Sequence, residues 1–363
     1  MRVFHTFSGL RDRTPDRAFL LPQLKLLERR GHEVAVVVPA GRAWGRMAAS
    51  EGLKVYSWST LGKVDPVNLI CLVSLFRKER PDIVDTHHTT SGMYSAWAGR
   101  LTGTPVVSTV HATNNLFCFR WSTALIAVSD GVKDHLVKQG YPAERIYTVR
   151  NGVDTDWFAF SRQSGSLRQK LGLQEDARLI AVIGRLTERK GHELLVQAMP
   201  SLAERGLDAH VVIAGEGQLA ARLRARADQL GVGERLHLLG QIQDVRPLLW
   251  AADLYAMPSL HGEGLSKALL QAMACGAPIV ATDIAGVTEA LTSGENALLV
   301  EPGRPEPLAE AMARLLERPE EAEALAASAR ERVVAEFSSA RVASELEAVY
   351  TELLARRAGR QPR

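Results

Sequence analysis

Short apolar runs alternate with longer segments of helical period along most of the chain. Most of these runs end at Gly, Pro, Ser, Asp or His, which is typical of buried strands in a parallel sheet. The predicted strands of the first half are residues 3–7, 34–38, 54–58, 83–86, 106–110, 125–128 and 147–149, and those of the second half are residues 179–183, 210–214, 236–238, 254–257, 279–281 and 298–300. One sheet of thirteen strands would exceed the usual size. The pattern therefore predicts an α/β protein with two doubly wound sheets.

The two halves are predicted to join near residues 151–166. Asn151-Gly152 opens this segment, and a polar stretch rich in serine follows. After about Pro319 the chain is rich in Ala, Glu, Arg and Leu, which predicts helix to the C-terminus. The 363 residues are enough for two domains with full cores.

Composition excludes several classes of protein. With 46% hydrophobic and 23% charged residues, the chain is neither disordered nor collagen-like. Cys71, Cys118 and Cys275 lie far apart without a C-x-x-C spacing, so a reducing cytoplasm is expected rather than disulfides or a zinc site. The first residues do not resemble a signal peptide, and no apolar run approaches the ~18 residues that a membrane-spanning helix requires.

Charge is unevenly distributed along the sequence. Residues 1–150 hold 20 Lys and Arg against 12 Asp and Glu, a net charge of +8, whereas residues 151–363 hold 24 against 29, a net charge of −5. The basic half is expected to meet an anionic partner. Nucleic acid is not expected, because no basic run is interleaved with aromatic residues. A helix at residues 66–80 ends in Arg77-Lys78-Glu79-Arg80, so it either packs on the core or contacts an anionic membrane peripherally.

A first candidate site follows the strand at residues 179–183. Ligands of open parallel sheets bind beyond the carboxyl ends of the strands. Residues 184–191 carry Arg185 and Lys190, five positions apart, between a strand and the next helix. Two cations beside a helix N-terminus are suited to binding a diphosphate. The alternative is a solvated loop.

A second candidate site lies at residues 258–276. Glu263 stands between Gly262 and Gly264 just before an apolar helix, whose first backbone N–H groups, at residues 264–267, are placed to hold phosphate oxygens. Gln271 follows eight residues after Glu263, where its side chain is suited to hydrogen-bond a ribose. The alternative for Glu263 is a carboxylate that only caps the helix.

Two further motifs match, by their spacing, the patterns of other kinds of binding site. Gly215-x-Gly217 follows a strand and precedes a helix, with Glu234 near the offset of a ribose ligand, so a nicotinamide enzyme is a weak alternative. Asp154-Thr155-Asp156 has the Asp-x-Asp spacing of a metal site but falls in the junction between the halves. We interpret it as turn and hinge chemistry, and we predict neither a metal nor a cofactor.

The run from Glu263 to Gln271 resembles the Glu-x7-Glu region of family-four retaining glycosyltransferases. Residues 149–158, 184–191 and 212–217 resemble three more motifs of that family in the same order and spacing. The resemblance implies a GT-B architecture, in which two Rossmann-like domains face a cleft. It places the acceptor side in residues 1–155, the nucleotide-sugar domain in residues 156–337, and a C-terminal helix at about 338–363 that returns to the first domain.

The resemblance also implies roles for residues of the second domain. Arg185 and Lys190 match the pair that neutralises the donor diphosphate, and Glu263 matches the glutamate that contacts the donor sugar and phosphates. Gln271 replaces the second glutamate of the signature, which implies weaker rather than absent nucleotide binding. The remaining donor-binding residues expected from the resemblance are Gly215 and the phosphate loop of Gly264, Leu265, Ser266 and Lys267.

Residues of the first domain are implicated in the same way. His111, which closes the strand at residues 106–110, matches a histidine placed against the donor sugar. Ser8-Gly9 stands where the family has a glycine-rich turn near the diphosphate. Residues 81–91 resemble members acting on lipopolysaccharide or related acceptors, so His87, His88 and Thr89 are expected to face the acceptor.

The implied activity is transfer of a sugar from a nucleotide-sugar donor, expected to be UDP-linked, to a saccharide or lipid-linked acceptor. The resemblance implies retention of anomeric configuration, a role in building cell-envelope saccharides, and a cytoplasmic location, on the inner face of the membrane if the protein binds it. Two alternatives stay open: a sugar-nucleotide epimerase of GT-B form, and a catalytically silent scaffold.

Overall fold

The computed structural model describes residues 1–8, 20–58, 66–111, 117–161 and 165–359. The chain divides into two compact units, Met1–Gly152 with Ser339–Arg363 (the first unit) and Val153–Ser338 (the second unit). Each unit is built on one parallel sheet. All thirteen predicted strands are present, with ends within two residues of those expected, and the α/β prediction is confirmed.

The first unit contains a seven-stranded sheet in the order β3-β2-β1-β4-β5-β6-β7. Its strands are β1 (Arg2–Thr6), β2 (Glu33–Pro39), β3 (Lys54–Trp58), β4 (Ile83–Thr86), β5 (Val106–Val110), β6 (Ala124–Ala127) and β7 (Ile146–Thr148). Its first helices are α1 (Leu20–Arg29), α2 (Ala43–Ser50), α3 (Pro66–Glu79), α4 (Thr89–Thr102) and α5 (Asp130–Lys138), with 3₁₀ turns at Phe117–Phe119 and Ala143–Arg145.

The second unit contains a six-stranded sheet in the order β10-β9-β8-β11-β12-β13. Its strands are β8 (Arg178–Ile183), β9 (Ala209–Ala214), β10 (Leu236–Gly240), β11 (Leu254–Met257), β12 (Ile279–Thr282) and β13 (Leu298–Val300). Its helices are α6 (Gly165–Lys170), α7 (His192–Glu204), α8 (Ala220–Gln229), α9 (Arg246–Ala251), α10 (Lys267–Ala274), α11 (Pro305–Glu317) and α12 (Pro319–Glu336), with 3₁₀ turns at Glu188–Lys190 and Gly233–Arg235.

Continuous apolar strands arise because helices cover both faces of each sheet. In β2, Val36 belongs to the core that contains α1, whereas the next residue, Val37, belongs to the core that contains Leu72 and Phe76 of α3. Successive side chains of a strand point to opposite faces, so both must be apolar. This explains why strand positions could be recognised from short unbroken hydrophobic runs.

The last helix, α13 (Ser339–Ala358), belongs to the first unit. Its apolar side packs in the same core as α1, with Leu346 and Tyr350 buried there. On its polar side Glu347 bonds Arg30 at 3.0 Å and His32 at 2.9 Å. The predicted return of the C-terminal helix to the first domain is confirmed. Among the described helices, none has the length and apolar character needed to cross a membrane.

Candidate functional site

Two loops of the second unit follow neighbouring strands of its sheet. The order of strands reverses between β8 and β11, and Ile180 of β8 pairs with Leu254 of β11. Open parallel sheets bind ligands at such a switch point, beyond the carboxyl ends of the strands. Residues 184–191 and 258–266 leave the sheet there, so both candidate motifs of the second half lie at one edge.

A glycine lets these two loops touch. Gly191 has φ +65°, and a Cβ on it would lie 1.8 Å from the carbonyl oxygen of Pro258. Next to it, the carbonyl of Arg189 accepts a hydrogen bond of 2.8 Å from the backbone N–H of Leu260. No side chain larger than hydrogen fits this contact. The backbone itself therefore holds the loop of Lys190 against the loop of Glu263.

Glu263 is the centre of a cluster of donors. Its Oε1 lies 2.8 Å from Lys190 Nζ and 2.9 Å from Arg189 Nη1, and Ser259 Oγ donates to it at 3.1 Å. The Glu263 side chain is only 7% exposed and that of Lys190 15%. Three donors on one largely buried oxygen fix the carboxylate, since charge-assisted hydrogen bonds are the strong ones.

Arg189 and Ser259 were missed by the sequence interpretation. Arg189 also donates to the carbonyl of Gly262 at 2.6 Å, so its guanidinium joins two positions of the second loop. The available signal was its place beside Lys190 in the same cationic motif. No such signal pointed to Ser259, because the direction of a serine side chain in a loop cannot be predicted from its place four residues before a glutamate.

The loop after Glu263 leads into the N-terminus of α10. Ser266 is the N-cap, and its Oγ accepts from the backbone N–H of Leu269 at 3.4 Å. Gly286 packs against this loop and has φ +86°. A Cβ on Gly286 would lie 2.5 Å from the carbonyl oxygen of Glu263 and 2.6 Å from that of Gly264. The first N–H groups of a helix have no acceptor within the helix, and the dipole there favours anions. The use of the loop Gly264 to Lys267 for phosphate stays a prediction.

Gln271 lies one helical turn beyond Lys267 on α10 and is 9% exposed. At about 1.5 Å per residue, it stands roughly 6 Å along the helix from Lys267, the end of the predicted phosphate loop. A neutral amide can be buried there with less desolvation than a carboxylate. Its predicted role toward a ribose is not tested by this geometry.

Arg185 lies at the exit of β8 with an exposed side chain. The backbone carbonyl of Arg185 is held in place, because its oxygen lies 3.0 Å from His192 Nε2 and accepts a hydrogen bond of 2.9 Å from the backbone N–H of Thr187. His192 is buried, and burial lowers the pKa of its imidazole to about 4. His192 is therefore neutral at pH 7, and it acts on Arg185 by hydrogen bonding and not as a charge.

Gly215 has a structural reason to be glycine. A Cβ on it would lie 1.9 Å from the carbonyl oxygen of Gly184, and its N–H donates to the carbonyl of Gly240 at 2.8 Å. It therefore packs the ends of β9, β8 and β10 together. Its predicted contact with a donor stays a prediction.

In the first unit, His111 follows β5 at the carboxyl edge of the sheet and is exposed. Ser8 follows β1 at the same edge, where its Oγ accepts from the backbone N–H of Ser91 at 2.8 Å. The sheet order places β1, β4 and β5 side by side. Ser8 and His111 thus lie on one edge, whereas Gly9 lies outside the described residues.

The expectation that His87 faces an acceptor is wrong. Its side chain is 6% exposed and stacks on Phe7, with ring centroids 4.7 Å apart. His88, the next residue, is exposed, and Thr89 begins α4. The sequence could not separate the two histidines because both follow the same short strand.

The Asp154-Thr155-Asp156 motif forms a turn. Oδ1 of Asp154 accepts from the backbone N–H of Asp156 at 3.2 Å and of Trp157 at 3.0 Å. This is the local side-chain to backbone bonding that aspartate favours in turns. The interpretation of the motif as a turn is confirmed, and its role as a hinge stays a prediction.

Two parallel α/β units, one carrying a cation and carboxylate cluster at its switch point, define a protein of the GT-B fold. The fold of the whole chain is that of Anabaena HepE, whose structure was solved in complex with UDP: the TM-score is 0.83 at 19% identity, over 97% of this chain and all of that one. The predicted fold class is confirmed.

Two family models match the sequence. "Glycosyltransferase Family 4" matches residues 23–157, and "Glycosyl transferases group 1" matches residues 163–332. The chain belongs to the glycosyltransferases that these two models describe.

Individual relatives of the chain are also named as glycosyltransferases. The chain is 27% identical, over 98% of its length and 99% of the other, to the lipopolysaccharide core biosynthesis glycosyltransferase LpsE of Rhizobium meliloti. It is 32% identical to the Escherichia coli UDP-Gal:alpha-D-GlcNAc-diphosphoundecaprenol alpha-1,3-galactosyltransferase, over 61% of this chain. That match spans 63% of the length of the E. coli protein.

Proposed function

We propose that the protein transfers a sugar from a UDP-linked donor, with retention of configuration, to a saccharide or lipid-linked acceptor of the cell envelope. The observation that carries this proposal is the cluster of Lys190 and Arg189 on Glu263 beside the N-terminus of α10. The choice of UDP is supported by the UDP complex of HepE and by the UDP-Gal donor in the name of the E. coli relative. The choice of acceptor is supported by LpsE.

Charge decides what this cluster can bind. Glu263 is one anion bonded by two cations, Arg189 and Lys190, and Arg185 stands exposed at the end of the neighbouring strand. The loop therefore keeps a surplus of positive charge after Glu263 is neutralised. A diphosphate at the N-terminus of α10 supplies the missing negative charge, with the N–H groups of the loop donating to its oxygens. These cations neutralise the charge of the diphosphate, as a divalent metal ion otherwise would, and we propose a metal-independent reaction.

The proposed reaction involves one bond broken and one formed. The bond from the anomeric carbon to the phosphate oxygen breaks, and the acceptor hydroxyl oxygen bonds to the same face of that carbon. The proton of the hydroxyl passes to the leaving phosphate. Lys190 and Arg185 stabilise the charge that grows on the phosphate, each such contact contributing about 2–4 kcal/mol in a water-poor site. No covalent glycosyl-enzyme intermediate is required.

Roles in this reaction are assigned to the remaining predicted residues from the family resemblance. Glu263 addresses the donor sugar, Gln271 hydrogen-bonds the ribose, and Ser8 and His111 are assigned to the diphosphate and the sugar. All three cysteines are free thiols, which supports a reducing cytoplasm as the compartment.

We also propose peripheral contact with an anionic membrane through α3. Leu72 and Phe76 of this helix are buried in the core, so packing explains one side of it. The other side exposes Val67 (41%) and Ile70 (66%), and the last turn carries Arg77 and Lys78. Apolar residues flanked by cations bind anionic lipid surfaces. Sedimentation with liposomes should depend on the anionic lipid fraction, and equal binding to neutral liposomes would refute the proposal.

A panel of nucleotides and nucleotide sugars tests donor binding. UDP and UDP-sugars are expected to raise the Tm, because a ligand that binds only the folded state stabilises it by about 2.7 kcal/mol at 100 times its Kd. Uridine without phosphates is the matched control and should give little shift. Stabilisation by NAD and not by UDP would instead favour a nicotinamide enzyme.

A further inference from the structure

A buried polar network lies inside the sheet of the first unit, outside the site described so far. His5 of β1 and Asp85 of β4 pair in register and are both fully buried. Tyr350 of α13 donates to Asp85 Oδ2 at 2.6 Å, and Thr109 of β5 donates to Oδ1 at 2.8 Å. Two hydroxyl groups thus hold the carboxylate, whose pKa is raised by burial. Burial of a polar group is costly without a partner, and among the described residues His5 Nε2 has none.

His87 joins this network to the edge of the sheet. Its Nε2 lies 3.0 Å from His5 Nδ1, and its backbone N–H donates to the carbonyl of Thr6 at 3.1 Å. Its ring stacks on Phe7 at 4.7 Å and on His111 at 5.8 Å, with interplanar angles of 6° and 29°. The buried ring of His87 therefore has a fixed position and forms a surface for the exposed ring of His111.

We propose that His87 is a positioning residue that sets the orientation of His111, and that His5, Asp85 and Tyr350 hold His87 in place. The inference rests on the proposed function, in which His111 addresses the donor sugar. An exposed histidine at a strand end has several rotamers, and stacking on a fixed ring removes most of them. A functional side chain needs such support, because displacement by about 1 Å can reduce the rate of a reaction roughly 100-fold.

A bound metal ion is the competing interpretation of the same side chains. One ligand atom each from His5, Asp85 and His87 lies within 4.8 Å of the others. The contact of 3.0 Å between the two imidazole nitrogens is the length of a hydrogen bond, and both oxygens of Asp85 already accept from hydroxyl groups. These contacts fit a hydrogen-bonded network, although His5 Nε2 has no partner among the described residues, so the zinc content of the purified protein separates the two interpretations.

Two substitutions separate the roles of the ring and of its hydrogen bond. His87→Leu removes the stacking surface, and we expect kcat to fall roughly 10- to 100-fold, with the donor KM changed by less than about threefold. His87→Phe keeps a ring at the same place and should restore kcat to within about fivefold of the wild type. The control is His135→Leu, which replaces a histidine on α5 and should leave kcat and the donor KM unchanged.

The second readout does not depend on catalysis. In the NMR spectrum, the Hε1 resonance of His111 is expected to carry a ring-current shift that disappears in His87→Leu, persists in His87→Phe and changes measurably in Tyr350→Phe.

If the wild type transfers no sugar, the proposed function fails while this spectrum still decides the positioning role. If His87→Leu does not fold, the Phe and Tyr350 variants carry the test. An unshifted His111 resonance in the wild type, wild-type kcat in folded His87→Leu, or one equivalent of tightly bound zinc in the purified protein would overturn the proposal.

Discussion

Replacing Lys190 with alanine is expected to lower kcat about 10²- to 10³-fold while the protein stays folded. Lys190 contacts Glu263 at 2.8 Å and is 15% exposed, so its ammonium group lies at the switch point of the second sheet, where we propose that the diphosphate leaves. Loss of one preorganised group that stabilises developing negative charge has effects of this size. The measurement is steady-state release of nucleoside diphosphate, together with circular dichroism and the Tm.

Two companion variants make the result specific. Lys170→Ala removes a lysine from the exposed end of α6 in the same unit and should keep wild-type kcat. Lys190→Arg keeps the charge but changes its shape, so it should recover part of the activity. Near wild-type turnover in folded Lys190→Ala would refute the assignment of this residue to the phosphate.

Glu263→Gln is expected to separate binding from transfer. The amide keeps an acceptor for Ser259 but removes the charge that Arg189 and Lys190 neutralise. With that anion gone, both cations are available to a diphosphate, so the nucleoside diphosphate should bind as tightly as to the wild type or more tightly. Transfer should slow about 100-fold, because the negative charge that we propose to act on the donor sugar is lost.

Calorimetry with UDP and product assays measure the two effects independently. Glu310→Gln, at an exposed carboxylate on α11 in the same unit, is the matched control and should alter neither. Loss of UDP binding in Glu263→Gln, with kcat unchanged at saturating donor, would show that the carboxylate serves the nucleotide and not the sugar.

The strands and the two main motifs were predictable because each depends on local sequence. A strand covered on both faces must be apolar at successive positions, so β2 and β8 could be recognised directly. Lys190 and Glu263 follow neighbouring strands of a parallel sheet, and the topology alone brings strand exits together. Even so, their direct contact depends on Gly191 lying against Pro258, a backbone approach that spacing does not reveal.

The buried network of the first unit could not have been predicted in this way. Tyr350 and Asp85 are 265 positions apart in sequence, and their hydrogen bond exists only because α13 returns to the first sheet. His87 and His88 are adjacent, yet one is buried and the other exposed. Which of two such neighbours turns inward is decided by the rings around it, here Phe7 and His5, and not by the pattern of the short strand before them.

The most direct test of the central claim is mass spectrometry of the products formed from the stabilising UDP-sugar and a lipid-linked saccharide acceptor. We expect the acceptor to gain the mass of one glycosyl residue, with release of one UDP per transfer and with the same anomeric configuration as in the donor. An isomerised donor with an unchanged acceptor would identify an epimerase. A donor and acceptor that both remain unchanged, although UDP binds, would contradict the account and leave a catalytically silent scaffold.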